Sequence, residues 1–386
     1  MPADIYVPSM MKIGGGSIQQ LPQILSELGV IRPFIIADPI MAELGVTDKL
    51  KTMMAEQQIH ADVFSNVMPE PDDRSIIGAV EQVTRANADC LIAIGGGSAI
   101  DSAKAIALLA SHGGHIRDYK VPYVIHQQSM PLIAIPTTAG TGSECTRVTV
   151  ISDSESAEKM LCMGPGLMPK VAIIDYELTL TVPFRVAADT GIDALTHAIE
   201  AWVSKKANPY SDQQAIAAMR MISANLIDAC TDADNRAAKE AMMLGASLAG
   251  IAFSNASVAL VHGMSRPLGV HFHVPHGMSN AMLLPAITEF SLAGASQRYA
   301  DCARHMGLAN VDDDDASCHA ALVTFLKKVN DTLHVPSMSE FGIAKGEYDD
   351  KLALMAKQAL ASGSPANNPL VPDENAMIEL YKQVYR

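Results

Sequence analysis

The sequence has no run of about 18 uncharged apolar residues, so no membrane span is expected. It has no excess of basic charge: 28 Lys plus Arg stand against 42 Asp plus Glu, a formal net charge of −14 with histidine neutral. That balance disfavours a nucleic-acid groove or an anionic membrane surface as the main partner. It has no closely spaced cysteine pairs. Cys90, Cys145, Cys162, Cys230, Cys302 and Cys318 are scattered, which fits a reducing compartment rather than a disulfide framework or a zinc knuckle. Met1 to Gln20 lacks a basic start followed by an apolar run, so no signal peptide is expected and the expected location is cytoplasmic. What is plentiful is apolar side chain. With 49% hydrophobic and 18% charged residues, the chain can build a large core and is not a disordered one. Its 386 residues suggest two domains, or three.

The two halves differ. Up to about residue 180, short apolar runs alternate with helical stretches. Residues 33–38, 89–94, 131–135 and 171–175 read as strands, nearly all apolar, as parallel strands buried on both faces are. Residues 41–57, 74–86 and 99–111 are long enough for crossover helices. This βαβ alternation predicts a doubly wound, Rossmann-like parallel sheet. After Pro183 the strand signal fades, and helices are expected over 187–203, 212–230, 236–251, 256–268 and 276–290. The fold class is therefore α/β plus all-α, with an α/β domain over 1–182 and a helical domain over 183–386. The run Asp312 to Asp315 reads as a solvated loop or a helix start.

Strand 89–94 leads into Gly95-Gly96-Gly97-Ser98 and then a helix. Three glycines permit a sharp turn and close approach of a ligand, and the helix N-terminus offers free N–H groups to a phosphate. Ser98 and Asp101 have the spacing of a capping box. The stretch is not GxGxxG, so it also reads as a plain tight turn. A second polar loop, Pro136 to Glu144, follows strand 131–135 and carries Thr137, Thr138 and Thr141, in the place where open α/β sheets bind ligands. Asp38 ends strand 33–38; a carboxylate there suits a ribose diol and repels a 2′-phosphate, favouring NAD over NADP. Gly14-Gly15-Gly16-Ser17 follows a poor strand and reads as a turn.

In the helical half, Asp193 and His197 are four apart, on one helix face, roughly 40° apart and one turn along. His262 lies in an apolar helix and His276 opens another. Any one of these histidines alone reads best as an ordinary hydrogen-bonded residue. As a set, one Asp and three His suit iron(II) or zinc, and the sequence does not choose between them.

The chain resembles the iron-containing (group III) alcohol dehydrogenases. The matching stretches are GGGSAIDSAKA (95–105), IPTTAGTGSE (135–144), GIDALTHAIEAW (191–202), FSNASVALVHGM (253–264) and PHGMSNAMLLP (275–285), in family order. The resemblance implies an N-terminal dinucleotide domain, a C-terminal helical domain and an active site in the cleft between them, a fold shared with dehydroquinate synthase. It implies Asp193, His197, His262 and His276 as metal ligands. Asp38, Gly96, Gly97, Ser98, Thr137, Thr138, Thr141 and Lys159 match positions around NAD, and Asp101 at the start of the same helix is counted with them. The implied reaction is hydride transfer between nicotinamide and a small alcohol or aldehyde whose oxygen the metal holds. A homo-oligomer, dimer or larger, is implied as well.

Three departures stand out. Family members commonly carry a second histidine four residues after the third ligand, and here that position is Arg266. An arginine stays protonated and is no proton relay; it reads either as a clamp for an anionic substrate or as a structural ion pair. His271 and His273 then become candidates for the relay, or simple loop residues. Glu70 replaces a frequent Asn near the nucleotide, weakening cofactor binding or facing solvent. Phe253 and Met264 are the candidate pocket walls. Two rival readings are a cyclase or lyase like dehydroquinate synthase, which returns its hydride to the substrate, and a non-catalytic binder of metal or nucleotide.

Overall fold

The computed structural model describes residues 3–156 and 158–385. Two compact units divide it: Tyr6–Val182, and Pro183 onward together with the residues just before Tyr6. The first unit runs β1 (Met10–Ile13), α1 (Leu21–Leu28), β2 (Pro33–Ala37), α2 (Pro39–Glu43), α3 (Val46–Ala55), β3 (Asp62–Phe64) and α4 (Asp73–Arg85). It continues with β4 (Cys90–Gly95), α5 (Gly97–His112), β5 (Leu132–Pro136), β6 (Val148–Ser152), β7 (Lys159–Met163) and β8 (Val171–Ile174). Six strands form one parallel sheet in the order β1-β8-β5-β4-β2-β3, while β6 and β7 pair as an antiparallel hairpin.

Alternate side chains of each central strand explain why these runs are apolar throughout. Ile35, Ile92, Ile94, Ile133 and Ile173 pack on Leu21 and Leu25 of α1 and Leu50 and Met54 of α3. Their neighbours Phe34, Ile36, Leu91, Ala93 and Leu132 face the other way, onto Ile76 and Val83 of α4 and Ile100 of α5. From β2 the chain steps outward to β3, then returns to β4 on the other side of β2. That reversal is a switch point, and it opens a crevice at the carboxyl ends of β2 and β4.

Several expectations are corrected here. The stretch from Pro8 to Lys12, read as a poor strand, overlaps edge strand β1, which forms because β8 supplies the pairing, with Met10 opposite Val171. The helix expected over 41–57 breaks in two at Gly45, whose φ of 70° is left-handed. The hairpin β6–β7 alternates buried and half-buried residues, a weaker signal than the continuous apolar runs.

The second unit comprises α6 (Phe184–Val203), α7 (Pro209–Thr231), α8 (Arg236–Asn255), α9 (Leu260–Phe272), α10 (His276–Ser291), α11 (Ser296–His305), α12 (Asp315–Thr332), α13 (Lys345–Ala361) and α14 (Glu374–Val384). α6 is buried almost without a break from Ala188 to Val203, which makes it the central helix. The helix expected from 256 begins only at Leu260, since α8 runs on to Asn255 and Ser257 takes a φ of 158°. Asp314 caps α12 by accepting from the Ser317 N–H at 2.7 Å, so the acidic run does start a helix. Among the described residues no single helix is long and apolar enough to cross a membrane.

Candidate functional site

In the first unit three loops meet at the carboxyl ends of adjacent strands. Asp38 follows β2, Gly95 to Ser98 link β4 to α5, and Thr137 to Thr141 follow β5. Gly95 has φ 147°, and a Cβ there would lie 2.6 Å from Asp38 Oδ2. A Cβ on Gly97 would lie 2.7 Å from the Thr141 side chain, while Thr138 Oγ1 stands over Gly96. Bare backbone at the first turn of α5, flanked by hydroxyls and a carboxylate, is a cradle that fits a dinucleotide phosphate and its ribose.

The expected capping box is not formed. Gly96 is the N-cap of α5, and the Ser98 hydroxyl donates to the Pro69 carbonyl. Asp101 is also committed elsewhere: Oδ1 accepts from Ser143 Oγ at 2.6 Å and Oδ2 from the Val150 N–H at 2.9 Å. It braces the threonine loop and β6 instead of offering oxygen to a cofactor. Beside it Lys104, fully buried, donates to the Ser143 and Val148 carbonyls and to the Ser143 and Thr146 hydroxyls at 2.7–2.8 Å. Burial pulls the Lys104 ammonium down to about 8, with Asp101 and Glu144 opposing. Lys159 pairs with Glu70 at 2.6 Å, and the Glu70 side chain is exposed, so it faces solvent while paired with Lys159.

In the second unit Asp193 and His197 project from α6, His262 from the first turn of α9, and His276 from the start of α10. Asp193, His262 and His276 offer ligand atoms that all lie within 4.8 Å of one another. His197 Nε2 stands 3.8 Å from Asp193 Oδ1, and its ring stacks 4.5 Å from that of His262. Gly277 is what lets α10 come so near: a Cβ there would be 2.4 Å from the Asp189 carbonyl of α6. The other face of His197 stacks on Phe253 at 4.3 Å. The Asn280 amide nitrogen sits among the ligand atoms, 2.6 Å from Asp193 Oδ1, 3.2 Å from His262 Nε2 and 3.3 Å from His276 Nε2. One carboxylate and two imidazoles converging on a single polar atom, with the His197 imidazole next to the carboxylate, fit a divalent transition metal.

Glu200, two turns along α6 from Asp193, fixes His262. Its carboxylate accepts from the Ala259 N–H at 2.8 Å, the Val261 N–H at 2.6 Å and His262 Nδ1 at 2.7 Å. A carboxylate only accepts, so Nδ1 carries the proton and Nε2 is turned toward Asp193, 3.4 Å away. Burial raises the Asp193 pKa, yet the charges of His197 and His276 and the bond to His262 hold it far below the usual carboxylate range. Burial lowers His262, but Glu200 and Asp193 outweigh it and raise the imidazole to about 9. Without metal, His262 is therefore an imidazolium at neutral pH, and a metal must displace its Nε2 proton. Calorimetry in buffers of different ionisation enthalpy should register about one proton released per metal near pH 7.5. The apparent affinity should rise roughly tenfold per pH unit up to about pH 9; a flat profile over that range contradicts the assignment.

The structure does not bring every expected residue into this cluster. His271 Nε2 bonds Gln358 Oε1 at 2.7 Å on α13, and His273 is the exposed left-handed cap of α9, φ 55°. Met264 is buried, and its carbonyl accepts from the Tyr381 hydroxyl at 2.7 Å, so it belongs to the core and not to a pocket wall. Glu200 and Asn280 went unnoticed in the sequence, although helical spacing could have found them. Glu200 lies seven residues after Asp193 and Asn280 four after His276, on the same helix faces as those ligands.

Equipment of this kind, a nucleotide crevice with a histidine-rich metal set, belongs to metal-dependent dehydrogenases. Residues 8–176 match the model for iron-containing alcohol dehydrogenase, and residues 187–385 match its C-terminal domain. The chain belongs to the iron-containing alcohol dehydrogenase family and is an oxidoreductase. Alcohol dehydrogenase 4 of Saccharomyces cerevisiae is 32% identical over 98% of both chains. Alcohol dehydrogenase from Oenococcus oeni superposes with a TM-score of 0.95 at 30% identity, covering 100% of each chain. Sulfoacetaldehyde reductase from Bifidobacterium kashiwanohense, solved in complex with NAD+, superposes at 0.89 with 26% identity, covering 100% of this chain and 99% of that one. The cyclase alternative is not favoured by these matches.

Proposed function

We propose that the protein catalyses reversible hydride transfer between NAD(H) and a small alcohol or aldehyde, in dependence on iron(II), with zinc as the alternative metal. The observation that carries this reading is the convergence of Asp193, His262 and His276 around the Asn280 amide nitrogen, with His197 beside them, its Nε2 3.8 Å from Asp193 Oδ1. Those four side chains would hold the metal, with Glu200 fixing the tautomer and orientation of His262. Asp38, Gly96, Gly97, Ser98, Thr137, Thr138, Thr141 and Lys159 would hold NAD, and the Asp38 carboxylate beside Gly95 would exclude a 2′-phosphate. The bound metal supplies a Lewis acid for the substrate oxygen, and the nicotinamide supplies the hydride chemistry. The structurally similar sulfoacetaldehyde reductase from Bifidobacterium kashiwanohense, solved in complex with NAD+, supports the choice of cofactor. A cytoplasmic homo-oligomer, dimer or larger, completes the reading, and six free cysteines suit a reducing compartment.

The deciding experiment follows NADH consumption by metal-stripped protein with iron(II) or zinc restored, across a panel of short aldehydes. Turnover is expected only with metal present and to be far weaker with NADPH. Full turnover after stripping, or none on any aldehyde despite bound metal and NADH, overturns the proposal.

A further inference from the structure

Arg266 sits on α9 one turn beyond His262, half-buried, and among the described residues its guanidinium meets no hydrogen-bond or ion-pair partner. Other half-buried arginines in the same unit are all engaged. Arg185 reaches Asp189 and the carbonyls of Leu333 and His334, Arg298 reaches Asp212 and the Trp202 carbonyl, and Arg304 reaches Asp301 and Asp315. The carboxylate whose charge acts on Arg266 is Glu200. That group is already committed to two backbone N–H groups and to His262. Burial weakens the protonated form of Arg266, with only Glu200 acting against it. An exposed surface site would hydrate such a cation freely; here the chain carries the cost of partial desolvation without an internal acceptor.

A guanidinium offers five N–H donors in a rigid planar fork, a shape that pairs with two oxygens of one oxyanion. Its helix position fixes where that oxyanion must be. His262 and Arg266 share a face, since four residues make little more than one turn, and their Cα atoms are separated by about 6 Å along the axis. A molecule whose oxygen reaches the cluster at His262 Nε2 therefore presents its other end to Arg266 when its chain is roughly two to four carbons long.

We infer that Arg266 receives an oxyanion carried by the substrate itself, so that the preferred substrates are short aldehydes or alcohols bearing a carboxylate, sulfonate or phosphonate. This deepens the dehydrogenase reading above and rests on it. The rival occupants of the guanidinium are a phosphate of the cofactor and no ligand at all.

Matched pairs test the assignment in the full-length, metal-loaded protein: butanal against succinic semialdehyde, and acetaldehyde against sulfoacetaldehyde and phosphonoacetaldehyde. The charged member should have the higher kcat/KM in the wild type, and the best of the three anions identifies the headgroup. Arg266→Gln should lower the charged-to-neutral ratio by roughly 10²-fold, mainly through KM, the effect of losing a charge-assisted bidentate contact. Arg266→Lys, which keeps the charge but not the fork, should recover part of it. Calorimetry supplies a readout independent of turnover. 4-Hydroxybutyrate titrated into metal-free protein should bind more tightly than 1,4-butanediol, and Arg266→Gln should abolish the difference.

A ratio that Arg266→Gln leaves unchanged, or a rise in the KM for NADH that accounts for the loss, overturns the inference. If neutral aldehydes turn over and charged ones do no better, Arg266 is misassigned while the dehydrogenase stands. If no aldehyde turns over, the dehydrogenase reading fails, and the calorimetric difference still decides whether Arg266 binds an anion.

Discussion

Asp193→Ala protein, supplied with iron(II), should retain less than about 10⁻³ of wild-type aldehyde reduction, because the ligand set loses its only anion. The three imidazoles are neutral when they coordinate, so Asp193, itself buried, is the sole proposed ligand that lowers the charge of a bound cation. The substitution has a second consequence that separates it from simple misfolding. Asp193 is one of the groups holding His262 high, so its removal should lower the His262 pKa. The proton released when metal binds near neutral pH should shrink with it. Metal content by elemental analysis and steady-state kinetics give the first result, and buffer-dependent calorimetry the second. Near-stoichiometric iron with kcat within about tenfold of wild type contradicts the role given to Asp193.

Lys104→Met should cost about 3–5 kcal/mol of stability, the range seen when one member of a buried charged cluster is removed. Four acceptors of the 143–148 segment lose their shared donor at once. Asp101, half-buried with its carboxylate 4.0 Å from Lys104, is left without the cation that lowers its pKa. The midpoint of thermal unfolding should fall on the order of 10 °C. The functional signature should be selective. Ser143 follows Thr141, whose side chain lies against Gly97, so a loosened 143–148 segment should raise the KM for NADH more than the KM for aldehyde. The sign of the linked pH effect follows from the lowered Lys104 pKa. In the wild type the folded state gives up this proton above about pH 8, while the unfolded chain keeps it to its ordinary value of 10.5. Lys104 therefore makes the fold relatively more stable as pH rises across that window, and the Met variant should lose that component. A variant that unfolds with unchanged midpoint and unchanged KM for NADH contradicts the bracing role.

The parts legible in the sequence are those with a periodic or compositional signature. Strands β2, β4, β5 and β8 announce themselves because helices cover both of their faces, which forces every side chain to be apolar. Edge strand β1 and hairpin β6–β7 do not, since their burial is partial, and β1 also takes its pairing from β8, far along the chain. The candidate metal set was legible as residue types, with only Asp193 and His197 at helical spacing on one element. Its support was not: Glu200 sits inside a quoted motif, yet only the folded α9 shows that its oxygens meet two backbone N–H groups and a ring nitrogen. Asp101 failed in the opposite way. Its position at a helix start suggested a ligand-facing role, and tertiary contacts with Ser143 and Val150, more than 40 residues away, claimed both its oxygens.

The four side chains proposed to hold the metal all belong to one compact unit, while the loops proposed to hold the nucleotide all belong to the other. No residue is shared between the two inventories. Inheritance is therefore separable: a lineage can change the identity of its metal, or trade one nicotinamide cofactor for the other, through substitutions that leave the second inventory untouched. A gene encoding this chain offers two independent dials to selection, and the same partition gives a protein engineer a natural seam for exchanging halves between relatives.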